Sequence, residues 1–64
     1  MFYIEKRKNG KVINGRNCFN VSSLKEMIKL IIAQNDRTNF DYVIQHDHFA
    51  IINYLDNSQI VISE

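Results

Sequence analysis

"FAIINYL", residues 49–55, is the stretch whose reading decides the fold. Its β-branched and aromatic residues favour an extended strand. Alternation then sends Phe49, Ile51, Asn53 and Leu55 to one side, and Ala50, Ile52 and Tyr54 to the other. Apolar groups stand on both sides, interrupted only by Asn53. Such a strand belongs in the interior of a sheet, with neighbours along both edges. One side must meet a helix. The other carries more apolar surface than a solvated face needs.

Working outward, "FDYVIQ" (40–45) precedes this strand and "QIVIS" (59–63) follows it. Both have strand composition. "DNS" (56–58) is a turn cluster that separates the last two strands. The "HDH" tripeptide (46–48) lies where one apolar run stops and the next resumes, which predicts a hairpin tip.

Residues 2–14, "FYIEKRKNGKVIN", predict another hairpin, because Asn-Gly supplies the positive φ that a type I′ turn requires. With Asn9-Gly10 as the turn, Lys8 pairs with Lys11, Arg7 with Val12 and Lys6 with Ile13. Phe2, Ile4 and Ile13 then share the core face, with Lys6 farther out. Tyr3, Glu5, Arg7, Val12, Asn14 and Arg16 take the other face. Lys8 opposite Lys11 is a like-charge pair, tolerated at a well-solvated tip or one that meets an anion. "GRNCFNV", from Gly15, reads as a connection in which Phe19 and Val21 cover an edge of the core.

Residues 23–35 predict the helix. Ser23 with Glu26 three residues on is a capping box. Leu24, Met27, Ile28 and Ile31 recur at helical spacing. Leu30 and Ile32 widen the apolar arc to roughly 200°, leaving Lys25, Glu26, Lys29 and Ala33 for solvent. That arc exceeds what one sheet face covers. The helix therefore lies in a groove between sheet and loop, or one flank meets another chain. Asn35 and Asp36 end it, and "NDRTN" (35–39) is a loop. The sum is an α+β class: residues 1–64 form one small domain, a single antiparallel sheet with one helix packed on one face, in the order β-β-α-β-β-β.

A 64-residue chain buries only about 60% of the surface that its unfolded form exposes. Small domains supplement such a core with disulfides, a metal or a partner chain. Cys18 is the single cysteine, so no internal disulfide forms, and a lone thiol suits a reducing compartment. The first ten residues start apolar and turn charged, the reverse of a secretory leader. No apolar run approaches the ~20 residues that span a bilayer. A soluble, cytoplasmic protein without membrane contact is expected. Frequent Asn and Ile, with Lys, fit an AT-rich bacterial or phage genome.

The formal charge is +1, too small for strong bulk attraction to nucleic acid. It is unevenly placed. Residues 1–16 carry Lys6, Arg7, Lys8, Lys11 and Arg16 against Glu5. Residues 38–64 carry Asp41, Asp47, Asp56 and Glu64 with no Lys or Arg. If the first and last strands are neighbours, these charges partly cancel.

His46 and His48 would share a side in a strand, as two zinc ligands do, but zinc needs three or four. Cys18, Asp41, Asp56 and Glu64 sit at no recognisable metal spacing. A polar turn is the better reading, and no metal or cofactor is expected. Ribonuclease-type or metal-dependent catalysis by His46 and His48 would need cations beside them, and nothing in the sequence puts them there. No phosphate loop or nucleophile elbow occurs. A non-enzymatic, protein-binding or regulatory module is expected, a class that includes the small inhibitors of cellular proteins encoded by phages. It is expected to form a homodimer, bind a protein target, or both. Leu30 and Ile32 on the helix flank, with Ile51, Asn53 and Leu55 on the strand, are the expected interface. Ile52 and Tyr54 replace the strand residues if the helix covers the other side. The alternative is nucleic-acid binding through Lys6, Arg7, Lys8, Lys11 and Arg16, since basic hairpins track phosphates.

Overall fold

Phe2–Lys8 forms β1 and Lys11–Cys18 forms β2, joined by the Asn9-Gly10 turn with φ of 51° and 79°. The helix α1 spans Leu24–Gln34, and a 3₁₀ turn, Arg37–Asn39, leads into β3, Phe40–Gln45. Strands β4, Phe49–Tyr54, and β5, Ser58–Ser63, complete the chain. This computed structural model describes residues 1–35 and 37–64. Asp36, expected to help end the helix, lies outside the described residues.

The strands make one antiparallel sheet in the order β2-β1-β5-β4-β3. β2 and β3 are the two edges. The link between them, which contains α1, must cross the sheet from edge to edge, and this puts the helix on one face. The α+β class and the order β-β-α-β-β-β are as the sequence predicts, with the 3₁₀ turn added. β1 and β5 are neighbours, so the cationic start and the acidic end of the chain meet. Lys8 Nζ lies 3.9 Å from Asp56 Oδ2.

Leu24, Met27, Ile28 and Ile31 point from α1 onto the sheet, chiefly β4 and β5. They meet Phe2, Ile4, Ala50, Ile52, Ile60 and Ile62. The helix therefore covers the Ala50, Ile52 and Tyr54 side of "FAIINYL". Ile32 is partly buried against the same core, whereas Leu30 is exposed. The Glu26 amide donates to Ser23 Oγ at 3.2 Å. The Glu26 carboxylate accepts from Ser22 Oγ at 3.5 Å, so the capping box is formed in one direction only. Ser23→Ala should cost about 1 kcal/mol and lower the unfolding midpoint by roughly 4–8 °C. Thermal circular dichroism measures it, and an unchanged midpoint would deny the cap its role.

The first hairpin departs from its expected register. Lys8 pairs with Lys11 and Arg7 with Val12, but Lys6 pairs with Asn14, Ile4 with Arg16 and Phe2 with Cys18. A bulge at Ile13 takes up the extra residue and reverses every side chain beyond it. Asn14 and Arg16 therefore lie on the helix side, not opposite to it, and Ile13 is exposed. The strand also runs on through Gly15, which the sequence reads as the start of a connection. The Tyr3 ring occupies the space that a Cβ at Gly15 would need. Glycine there lets a cross-strand aromatic cover the backbone. Val21 is buried as expected, but Phe19 is 71% exposed and does not pack on the core.

Candidate functional site

The helix-free face of the sheet is set by the odd-numbered residues of β1, β4 and β5. One row runs Gly15, Glu5, Val61, Ile51 and Ile44 across all five strands. A second runs Val12, Arg7, Gln59, Asn53 and Tyr42. Tyr3 and Phe49 flank Ser63 at the far end. Tyr42, Ile44 and Phe49 are exposed, and Ile51 and Val61 half-buried. The result is an apolar area over β3, β4 and β5 beside a polar flank. In that flank Arg7 donates to both Glu5 carboxylate oxygens at 3.3 Å. Gln59 Nε2 donates to Asn53 Oδ1 at 2.8 Å. This bond spans β4 and β5 and satisfies a side chain that is only 7% exposed without any helix over it. Arg7 Nε is buried and donates to no group among the described residues.

The expected interface residues do not form one surface. Ile51 and Asn53 lie on the helix-free face. Leu30 and Ile32 belong to α1 on the opposite side. Leu55 is exposed in the turn between β4 and β5, where its amide donates to Asn39 O at 2.7 Å. Ile52 and Tyr54 are buried on the helix side of the sheet. Tyr42, Ile44 and Val61 were not singled out by sequence. Their parity within "FDYVIQ" and "QIVIS" carried the signal, once the strands are placed beside "FAIINYL".

The opposite face holds a groove. α1 leaves the far end of the β1–β2 hairpin uncovered, and the space beside its last turn forms two adjoining clefts. One, of about 310 Å³, is lined by Lys6, Asn14, Arg16, Gln34 and Asn35 over an isoleucine floor. The next, of about 280 Å³, shares Lys6, Asn35 and Ile60 and continues past Lys8, Asn39 and Tyr54 to the Asp56 carboxylate, which offsets part of the Lys8 charge. Three of the five expected nucleic-acid residues therefore line one groove. Arg7 faces the other way, and Lys11 stands exposed at the hairpin tip. Asn35, Asn39 and Tyr54 join them through topology alone, with no local sequence signal. Asn35 Nδ2 also donates to Ile31 O at 2.7 Å, satisfying one of the last helix carbonyls.

The "HDH" tip is the expected turn, closed by His46 N donating to Phe49 O at 2.9 Å. Its histidines serve different partners. His46 stacks on Phe49 at 4.5 Å. His48 Nδ1 lies 2.9 Å from Glu64 Oε2, and the Glu64 amide donates to His48 O. Among the described residues, no three His, Cys, Asp or Glu side chains gather as a metal site would require. Cys18 is half-buried, packed at the margin of the core. Among the described residues, no helix is long and apolar enough to cross a membrane.

The chain matches no family model, no curated protein and no solved structure.

The turn between β4 and β5 closes the groove at one end. Asp56 Oδ1 accepts from both the amide and the hydroxyl of Ser58. Asn57 adopts φ of 66°, and its carbonyl accepts from the Asn9 amide, tying the two turns together. The Ser58 hydroxyl first, then its amide, with smaller help from Asn39 and Lys8, lowers the Asp56 pKa from 3.8 to about 2. A depressed folded-state pKa stabilises the fold above the unfolded value, and that stability fades as pH falls through the folded one. Wild type should lose stability between about pH 4 and pH 2 more steeply than Asp56→Asn. Denaturant midpoints across that window measure this. Parallel slopes would show that the bonds to Ser58 do not stabilise the charged form.

Proposed function

We propose that the chain is a non-enzymatic protein-binding module whose docking surface is the helix-free face of the sheet. The observation that carries this reading is the contiguous apolar area of Tyr42, Ile44, Phe49, Ile51 and Val61, with none of the described elements over it. Tyrosine, phenylalanine and arginine are enriched where proteins meet, and here Tyr3, Tyr42, Phe49 and Arg7 frame the area. An exposed apolar patch rimmed by polar residues often marks an interaction site.

The first occupant proposed is a second copy of the chain. Five strands at ~4.8 Å spacing and six residues in length give a face of roughly 500 Å². Two such faces bury about 1,000 Å², the low end of specific interfaces. A weak homodimer follows, with dissociation in the micromolar range. The alternative occupant, a different protein, uses the same face and competes with self-association. Sedimentation equilibrium over a wide concentration range tests the reading. The apparent mass should climb from one chain toward two. A mass of one chain at every concentration would remove the second copy as occupant.

A further inference from the structure

We infer that the groove between the last turn of α1 and the β1–β2 hairpin is a binding site for a phosphate-bearing ligand of nucleotide size. This goes beyond the helix-free face and does not depend on it. Three observations converge on it.

The first is the placement of charge. Lys6 pairs with Asn14, so Arg16, two residues on, is its diagonal neighbour at ~7–8 Å. Lys8 is two residues along β1 from Lys6. Lys8 has Asp56 at 3.9 Å, but among the described residues neither Lys6 nor Arg16 has a carboxylate within 4 Å. Like charges held this close are mutually unfavourable, and an anion between them reverses the sign. The groove does meet the carbonyl end of α1, whose partial negative charge offsets part of this potential. Asn35 spends its amide on one of those carbonyls and so reduces that opposing charge.

The second is the bulge at Ile13. A regular hairpin would send Arg16 to the opposite face, beside Tyr3. The bulge turns it toward Lys6. Bulges persist where they re-aim a side chain.

The third is Tyr54. It forms part of the groove wall, is only 8% exposed, and its buried hydroxyl has no hydrogen-bond partner among the described residues. A buried hydroxyl without a partner costs about 1–3 kcal/mol. Burial, with Asp56 nearby, raises its pKa, so it stays a proton donor at neutral pH. Cations and a hydroxyl donor recognise phosphate oxygens. The floor of Ile4, Ile31 and Ile60 offers contact to an organic body, and clefts near 300 Å³ are of the size that holds small ligands.

Amide-resolved NMR titration of the whole chain with inorganic phosphate, adenosine monophosphate and a short oligothymidylate tests the site. Saturable shifts are expected at Lys6, Arg16, Asn35 and Ile60. Lys6→Gln with Arg16→Gln should weaken binding at least about tenfold, since each charge-assisted bond contributes over ~1 kcal/mol. Tyr54→Phe should weaken it about fivefold. The exposed pair Lys25→Gln with Lys29→Gln should change nothing. If the oligonucleotide binds far more tightly than the monophosphate, with a log–log salt slope near about −2 for three cations, the natural ligand is nucleic acid. Equal affinity for the two assigns a free phosphoester. Absence of saturation with all three probes overturns the site, as does equal weakening by the Lys25 and Lys29 changes.

Discussion

Ile52→Ala should lower the thermal unfolding midpoint by roughly 10–40 °C. Ile52 has no exposed surface, lies in β4 between Val43 and Ile60, and faces the helix. Truncating it removes buried methylene groups and leaves a cavity, a combined cost of about 2–5 kcal/mol. A 64-residue domain has only about 3–10 kcal/mol in total. The same change in a larger protein would be a modest defect. Here it consumes much of the margin, because one helix and one sheet face supply nearly the whole core. Thermal melts by circular dichroism, at equal protein concentration so that any dimer contributes equally, give the number. A shift below about 4 °C would mean that neighbouring side chains collapse into the space.

The contrast between Ile52 and its neighbour shows how far the sequence could be read. Alternation along "FAIINYL" separates the two sides of Phe49–Tyr54 correctly, while Leu55 falls in the turn beyond the strand. It could not say which side the helix covers, because both are apolar. That choice is made by topology: the β2-to-β3 link spans the sheet on one face only. Helical periodicity and the Ser23 cap located α1 for a simpler reason, since both are local. The bulge at Ile13 was invisible because nothing in "KNGKVIN" distinguishes a regular hairpin from one with an extra residue. Its consequence was not small, for it moved Arg16 across the sheet. Gly15 reads as the start of a connection because glycine in a strand and glycine in a loop look alike until Tyr3 is placed over it. The groove was out of reach altogether. Its residues come from β1, β2, α1 and the segments around β4, and only the pairing of β1 with β5 brings them together.

Ile51→Lys should leave the chain folded and abolish self-association. Ile51 stands opposite Ile44 and Val61, near the middle of the helix-free face. It is half-buried in the single chain, so a lysine stem can lie along the same neighbours while its ammonium reaches water. The cost to folding is the smaller part of the effect. In a two-fold dimer the same residue comes from both copies, so two ammonium groups would enter one dry contact. Desolvating an unpaired charge costs several kcal/mol. A contact of about 1,000 Å² with micromolar dissociation has only about 8 kcal/mol to lose. Sedimentation should then give the mass of one chain at concentrations where wild type is paired. Ile51→Thr keeps the β-branched shape and weakens the contact less. It separates loss of the interface from loss of the fold, because its melting behaviour should stay near wild type. Self-association that survives both changes would place the contact elsewhere. The exposed flank of Leu30 would then be the next surface to alter.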